Sequence, residues 1–423
     1  MAIDRAGQSP AVLQKVIYAG ARCGSFALAS DALRNLADLD VPTKQVERRT
    51  KQIGLERCAE RDAAAAAYGE QPLTVRKETP PGAESPELAV VQMDGGRLQI
   101  LDRANRADAS ESVVAATPKR KGQHWREDKV GLLASMRSQP CVDDPCPTVP
   151  KCFIDPDRIP RLAQEMKSKS KSPGGETSPE ALPLTDSGLP PPAATTSRYQ
   201  PPELVERSIV ATKQGVDVFG GLLATAAWER GFFGAKRRVY LGDGSNGNWG
   251  VWERHFSSFT PIVDFIHALT YVYAAAMAGD SFTEGWSRYG LWIGALWQGD
   301  TATVIAALEA RQQVLGRPEA TDGETHPRQC LADALGYLRN QKERMKYAEY
   351  RRAGLPITTS HVESTIKQMN HRVKGSEKFW SESGSEAILQ LRADVLSETA
   401  PLDDFWQRRQ ARQTGERCYS IAS

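Results

Sequence analysis

The sequence lacks the features of a membrane protein and of a disulfide-rich secreted protein. It has no run of eighteen apolar residues and no charged-then-apolar N-terminal segment, so we expect neither a membrane span nor a secretory signal. Its seven cysteines are odd in number and scattered, which favours reduced thiols over a disulfide framework. It also has no internal repeat. These absences predict a cytoplasmic globular protein with no membrane partner.

Cysteine and histidine pairs with the spacing of a zinc site are lacking as well. Cys141, Cys146 and Cys152 lie near one another in the sequence, but their spacings are looser than those of the usual zinc pairs. No histidine falls among them. Zinc binding at these cysteines is therefore the less favoured interpretation.

The net charge is small, but the positive charge is concentrated in one stretch. The 423 residues carry a net charge of +2. Residues 339–378 contain ten Lys or Arg and four acidic residues, a net +6, which leaves about −4 on the remainder. Such clustering is typical of a surface that binds a polyanion. A solvated helix face would give the same pattern, so both interpretations stay open.

Residues 1–68 are predicted to form an all-α, helix-turn-helix region. An apolar-periodic helix from Phe26 to Leu36 is followed by a break at 38–42 and a second, basic helix from Thr43 to Ile53. In helix-turn-helix proteins such a second helix enters the major groove of DNA. The alternative is an αα-hairpin with a solvated face. The candidate DNA-binding residues of the second helix are Lys44, Arg48, Arg49 and Lys51.

Two segments rich in Pro, Ser, Gly and Thr divide the rest of the chain. Residues 69–86 are expected to be a linker and residues 167–202 a disordered-type insertion. Between them, strands and helices follow one another in the order of an α/β core that contains a helical insertion. The core is assigned to residues 87–274 and 356–396. The helical insertion between these two parts is assigned to residues 275–355, and the C-terminal tail to residues 397–423.

Two aspartates are predicted to lie at the ends of strands, beside glycines. A buried strand at 88–93 is expected to end at Asp94, where a Gly-Gly turn leads into a second strand at 98–101. Asp243 likewise follows a short apolar strand and has glycines on both sides. A carboxylate in this setting leaves its oxygens open to a hard metal ion. A single Asp-Gly turn is also ordinary hairpin chemistry, so partner carboxylates are needed.

A third carboxylate, Glu363, lies in the first turn of a helix predicted to start at Ser360 and end near Gly375. The same stripe of this helix carries Lys367 and Lys374. Ser360-x-x-Glu363 also matches a capping box, in which Glu363 only accepts from the Ser360 amide. Local sequence leaves the cap and the metal ligand as alternatives.

The order and setting of these three acids resemble the DDE triad of a ribonuclease H-like transposase. Over roughly residues 88–396 the chain resembles the Kra group of bacterial insertion-sequence transposases, distant relatives of the Mutator-like transposases. The resemblance is specific because its motifs fall in order. In chain order they are VQMDGG, HWREDKVG, GDGSNGNW, DFIHALTYVY, GLPITTSHVES, NHRVKGSEKFW and EAILQLRADVLSE.

This resemblance implies the fold, the cofactor and the site. The fold would be an α/β, ribonuclease H-like mixed-sheet core, with Asp94, Asp243 and Glu363 as catalytic ligands of two Mg²⁺ or Mn²⁺ ions. Asp264 and His267 match the family's Asp/Cys-x-x-His motif, which supports DNA or metal positioning. The alternative for His267 is a histidine of the apolar core.

The resemblance also implies the activity and the partners. The expected protein is a nucleoid-associated transposase that binds terminal inverted repeats and then cleaves and joins double-stranded DNA, as a homodimer or a higher oligomer. Lys367, Arg372 and Lys374 would hold phosphates. Two alternatives remain: a non-catalytic DNA-binding repressor derived from a transposase, and a stand-alone nuclease of the same fold.

Overall fold

The apolar runs of the core form the six strands of one mixed sheet. The computed structural model describes residues 8–101, 125–171, 200–375 and 378–412. Within these residues the sheet order is β3-β2-β1-β4-β5, and β6 pairs with the far end of β1. β1 is antiparallel to β2 and parallel to β4. The strands are β1 (Leu88–Ile100), β2 (Trp125–Arg137), β3 (Glu203–Thr212), β4 (Arg237–Gly242), β5 (Thr260–Val263) and β6 (Phe379–Trp380).

The predicted Gly-Gly turn after Asp94 is wrong, because β1 runs straight through it. Gly95 and Gly96 pair with Lys129 and Asp128 of β2, within an antiparallel ladder that extends from Leu88 to Gln99 of β1. Neither glycine has a positive φ. The ladder to β2 supplies hydrogen-bond partners for an extended chain, and this outweighs the turn tendency of Gly-Gly.

Fourteen α-helices are present in the described ranges, and they surround the sheet. The predicted break at 38–42 is present, but the helix that follows it continues to Glu70 instead of ending near Ile53. The helices before β3 are α1 (Pro10–Arg22), α2 (Phe26–Ala37), α3 (Thr43–Glu70) and α4 (Arg158–Lys171). Those from β3 to the end of the predicted insertion are α5 (Val216–Glu229), α6 (Asn246–His255), α7 (Phe265–Ala276), α8 (Phe282–Trp297), α9 (Thr301–Leu315), α10 (Pro327–Gln341) and α11 (Tyr347–Arg352). The last three are α12 (Ser360–Val373), α13 (Glu382–Leu396) and α14 (Pro401–Ala411).

Helix α13 is the central element of one face of the sheet. Its residues from Gly384 to Asp394 are all buried. On one side it packs with α12 over β1, β2 and β3, in a cluster that includes Val130, Val362 and Ile388. On the other side it packs against the N-terminal helices, where Arg57 of α3 donates two hydrogen bonds to the Asp394 carboxylate. The described part of the N-terminal region, residues 8–68, is therefore packed against the core rather than held apart from it.

Two segments expected to be irregular make specific contacts. In the predicted linker, the Thr79 and Ser85 hydroxyls share a hydrogen bond of 2.7 Å, and Trp228 donates its indole N–H to the Val75 carbonyl. In the predicted tail, α14 packs Phe405 and Trp406 into a cluster with α1 and α3. The predicted insertion at 167–202 lies, from 172 to 199, outside the described residues.

No helix in the described ranges is long and apolar enough to span a membrane.

Candidate active site

The pairing of β1 with β4 brings Asp94 and Asp243 to the same part of the sheet. The parallel register runs from Leu88 opposite Arg237 to Gln92 opposite Leu241. Continued by two residues, this register sets Asp94 beside Asp243, which follows the last residue of β4. β1 extends past this point and stays paired with β2 on one side. On its other side Asp94 lies just beyond the residues of β1 that pair with β4.

Asp94 is a carboxylate whose protonation is affected by its neighbours. Its Oδ1 accepts the backbone N–H of Gly95 at 2.7 Å. Burial and the negative charges of Asp243 and Glu363 raise the pKa of Asp94 to about 6, against the lowering effects of the Gly95 hydrogen bond and of the charge of His267. The charges of all three predicted acids therefore interact.

Asp243 begins a tight loop that is held from both sides. Its Oδ1 accepts the Ser245 backbone N–H at 2.8 Å and the Asn248 amide at 2.7 Å. The hydroxyl of Tyr337, on α10, donates to the Asp243 backbone carbonyl at 2.8 Å. Gly244 has a φ of +98°, and a Cβ there would lie 2.7 Å from the Tyr337 ring. The helical insertion therefore fixes the position of Asp243 by its contact with this glycine loop.

Asp264 links the end of β5 to the first turn of α12. It is fully buried, and it caps α7 by accepting the His267 backbone N–H. Its Oδ2 lies 2.6 Å from Nδ1 of His267, and its Oδ1 accepts the Thr359 N–H at 3.0 Å. The predicted Asp-x-x-His pair is thus in contact, and it joins two of the elements that carry the site.

His267 lies among acidic groups. Burial by itself would lower the pKa of His267, but the hydrogen bond and charge of Asp264, with the charges of Asp243 and Glu363, raise it to about 9. The ring is only partly buried, with 22% of the side chain exposed. The contact with Asp264 and the raised pKa favour a charged ring over an inert core histidine.

Helix α12 carries Glu363 and begins without the expected capping box. Thr359 is the N-cap, and no side chain makes the cap hydrogen bond. Ser360 is the first helical residue, so it does not occupy the position that a capping box requires. The first turn is held instead by buried groups of the sheet, because Gln92 of β1 accepts the Val362 N–H at 3.1 Å.

The fit of the site to a divalent cation is partial. Carboxylate oxygens are the ligands that Mg²⁺ and Mn²⁺ prefer, and like-charge repulsion among the acids would be relieved by a cation. Within the described ranges, however, no group of three or more His, Cys, Asp or Glu is arranged to hold a metal ion. The same finding covers the described cysteines Cys141, Cys146 and Cys152. The acids supply the right donors without forming a completed coordination shell.

The predicted DNA-binding residues are divided by the fold. Lys44 and Arg48 are exposed on α3, Arg49 and Lys51 are half-buried there, and both lysines are paired with Glu47. Lys367 is exposed on α12. Lys374 follows the last residue of this helix, and its Nζ lies 5.7 Å from the centroid of the Trp125 ring.

Arg372 does not fit its predicted role as a phosphate ligand. The residue is only 1% exposed. Its guanidinium lies over the rings of Phe26 and Trp380, and its Nε donates to the Gly20 carbonyl. Arg372 therefore joins α12 to the N-terminal helices. It lies on the side of α12 that faces α1 and α2.

Part of the positive charge of residues 339–378 lies inside the protein. Arg351 is 1% exposed, is paired with Asp144 and lies over the Trp297 ring. Arg344 lies over the buried Trp249, at 4.3 Å from the ring centroid. The exposed cations of the stretch, which remain available to DNA, are Arg339, Lys342, Lys346, Arg352 and Lys367.

Several residues at the site were not predicted from the sequence. Gln92, Asn248, Tyr337 and Gln341 hold the catalytic candidates or their loops through hydrogen bonds. Local sequence carries no signal for the contacts of Gln92, Tyr337 and Gln341, which are distant along the chain. Asn248 and Asp128 are different, because they lie in the motifs GDGSNGNW and HWREDKVG.

No protein-family model and no curated protein matches this sequence. The function is therefore argued from the residues and their geometry.

Proposed function

We propose that this protein is a DDE transposase of the ribonuclease H-like class, which binds the terminal inverted repeats of an insertion sequence and catalyses DNA cleavage and strand transfer. The observation that carries the proposal is the parallel register of β1 and β4, which sets Asp94 beside Asp243. The charge of Glu363 also acts on Asp94 and raises its pKa. These acids come from a strand, a loop after another strand and a late helix. Folding has no evident need to bring them together, because like charges repel.

The sheet order supports the proposal. A ribonuclease H-like site needs its first and fourth strands side by side, so that the first two acids can share metal ions. Here β1 and β4 are adjacent and parallel, with β2 and β3 antiparallel on the other side of β1. The helices from α8 to α11 lie between the second and third acids, where the resemblance expects an insertion.

Asp94, Asp243 and Glu363 are the residues that would hold Mg²⁺ or Mn²⁺, which would supply charge neutralisation at the scissile phosphate. Asp264 positions the site by holding both His267 and the first turn of α12. His267, as a cation, offsets part of the negative charge of the acids. Lys367, exposed one turn beyond Glu363, would contact the phosphate backbone.

A strand-transfer assay tests the proposal. The full chain is incubated with Mg²⁺, a target plasmid and DNA that carries the inverted repeats bordering its gene. We expect joined products from the wild type and none from Asp94→Asn, whose amide oxygen can still accept the Gly95 N–H. Asp404→Asn, an exposed acid on α14, is the matched control. Cutting without joining would identify a stand-alone nuclease.

A non-catalytic DNA-binding protein is the second candidate, because the exposed Lys44 and Arg48 of α3 can contact DNA whether or not the acids bind a metal ion. Specific binding to the terminal repeats, with no metal-dependent product from wild type or variants, would select this candidate and overturn the transposase proposal.

A further inference from the structure

Asp128 is a buried carboxylate with no side-chain partner among the described residues. It lies on β2 and is 0% exposed. Neither of its carboxylate oxygens has a hydrogen-bond partner, apart from a close approach to its own backbone N–H. Lys129, the nearest positive charge along the strand, forms an ion pair with Glu127 instead. Burying an ionised carboxylate without a partner is among the most unfavourable arrangements in a protein interior.

The side chain of Asp128 lies on the same face of the sheet as the candidate active site. Asp128 pairs with Gly96, and Asp94 pairs with Val130, so Asp94 and Asp128 are diagonal neighbours on adjacent strands. The Asp128 carboxylate lies over Gly96, where a Cβ would be 2.5 Å and 2.9 Å from its two oxygens. Gly96 therefore leaves the space that this carboxylate fills.

Burial raises the pKa of Asp128 to about 7; the charges of Glu127 and Asp94 raise it as well, and the charge of Lys129 lowers it. Asp94 and Asp128 thus repel each other across the ladder. Two neighbouring carboxylates, one of them buried with no hydrogen-bond partner beyond its own backbone, form a site that a cation would complete. Hard oxygen donors of this kind select a divalent cation such as Mg²⁺ or Mn²⁺.

We propose that Asp128 is a further metal ligand, which binds a divalent cation together with Asp94. This inference rests on the proposed function, because Asp94 is also the first acid of the transposase site. Asp94 would then be shared between one ion on the Asp128 side and one on the Asp243 side.

Titration of the full chain with Mn²⁺, followed by the electron paramagnetic resonance signal of free Mn²⁺, tests the proposal without DNA or activity. We expect the wild type to bind two Mn²⁺ ions. Asp128→Asn should lose one of these ions, or bind it with an affinity lower by about tenfold or more. Gly96→Ala should lose the same ion, because its Cβ displaces the carboxylate without removing it. Gly95→Ala is the matched control, since its Cβ meets only the flexible Glu127 side chain, at 3.3 Å.

The outcomes separate this inference from the proposed function. If Asp128→Asn and Gly96→Ala bind Mn²⁺ like the wild type while Asp243→Asn loses an ion, the Asp128 ligand is excluded and the transposase site stands. If Asp128→Asn and Gly96→Ala each lose an ion and Asp243→Asn loses none, Asp128 is a metal ligand and Asp243 is not. A wild type that binds no Mn²⁺ overturns both. Thermal melts confirm that each variant is folded.

Discussion

Each carboxylate of the site has a different environment, and this determines what a single substitution can reveal. Both carboxylate oxygens of Asp264 bond to protein groups, on Thr359 and His267, so the role of Asp264 is to hold these residues in position. Asp94 and Asp243 each use Oδ1 for backbone or amide donors. In the described structure their Oδ2 atoms accept no hydrogen bond from protein groups. Amide variants at these two positions can keep the structural hydrogen bonds and lose only the charge.

Glu363 is the acid for which structure and chemistry can be separated most directly. Glu363→Gln should leave the protein folded and able to bind DNA, but reduce metal-dependent cleavage to background, because a neutral amide is a poor ligand for a hard cation. Ser360→Ala should change the unfolding free energy by less than about 0.5 kcal/mol, since Ser360 does not cap α12. Thermal melts and a cleavage assay on both variants give the answer. A fully active glutamine variant would remove Glu363 from the site.

His267 makes stability depend on pH in a direction that its partners determine. Its pKa rises from 6.5 to about 9 on folding, so the folded state binds the proton more tightly. The resulting stabilisation is complete below pH 6.5 and is lost as the pH rises through about 9. It amounts to roughly 3 kcal/mol at most. Urea unfolding in EDTA at pH 6.5 and 9.5 should show this loss for the wild type and a smaller one for His267→Gln. Equal pH dependence in the two proteins would contradict the assignment.

The sequence allowed the acids to be predicted, but not their surroundings. Asp243 was placed correctly because its strand, loop and following helix are encoded within a dozen residues. The turn after Asp94 was wrong because β1 pairs with β2, whose start lies beyond residues 102–124. Arg372 was misjudged for a related reason: one of the rings that cover it belongs to Phe26, far along the chain, although the other, Trp380, lies in the same motif.

At the scale of elements, the contact between α3 and α13 depends on one glycine. A Cβ at Gly54 would lie 2.5 Å from the Ala387 carbonyl oxygen and 2.7 Å from its Cβ. Gly54→Ala should therefore destabilise the protein by about 1–3 kcal/mol, because two packed helices must move apart. Urea unfolding measures the effect.

Gly69 is the matched control, since it lies on the same helix with nothing within 4 Å of an added Cβ. Gly69→Ala should be neutral or stabilising, by up to about 1 kcal/mol, through helix propensity alone. Similar effects of the two substitutions would show that α3 does not pack closely on α13. The start of the helix was predicted from its pattern, but its extension past Ile53 was not. The need for glycine at 54 comes from a partner more than three hundred residues away.

At the scale of the whole molecule, the N-terminal region cannot simply be removed. Its helices cover α13, and Arg57 pairs with the buried Asp394. Deleting residues 1–68 would expose this face, so a loss of DNA binding in that truncation would not report on recognition. Surface substitutions on α3 are the informative change.

Lys44 and Arg48 are exposed at the start of α3, clear of the contact with α13. Replacing both with alanine should weaken binding to the terminal repeats and reduce the slope of log K against log salt by up to about 2, if each contacts one phosphate. The protein should melt at an unchanged temperature. Lys15→Ala with Lys77→Ala is the control for a general loss of charge. An unchanged salt slope would place the DNA on another surface.

The distance along the chain between α3 and α13 has a consequence for the newly made protein. Arg57 and Asp394 are 337 residues apart, so α3 waits for its partner during about 20–70 s of translation. Over that time the sides of α1 and α3 that face α13 in the folded protein have no partner, and β1 lacks the cover of α12. Premature termination anywhere before α13 should therefore give a fragment that is degraded, and not a smaller DNA-binding protein that competes with the intact chain.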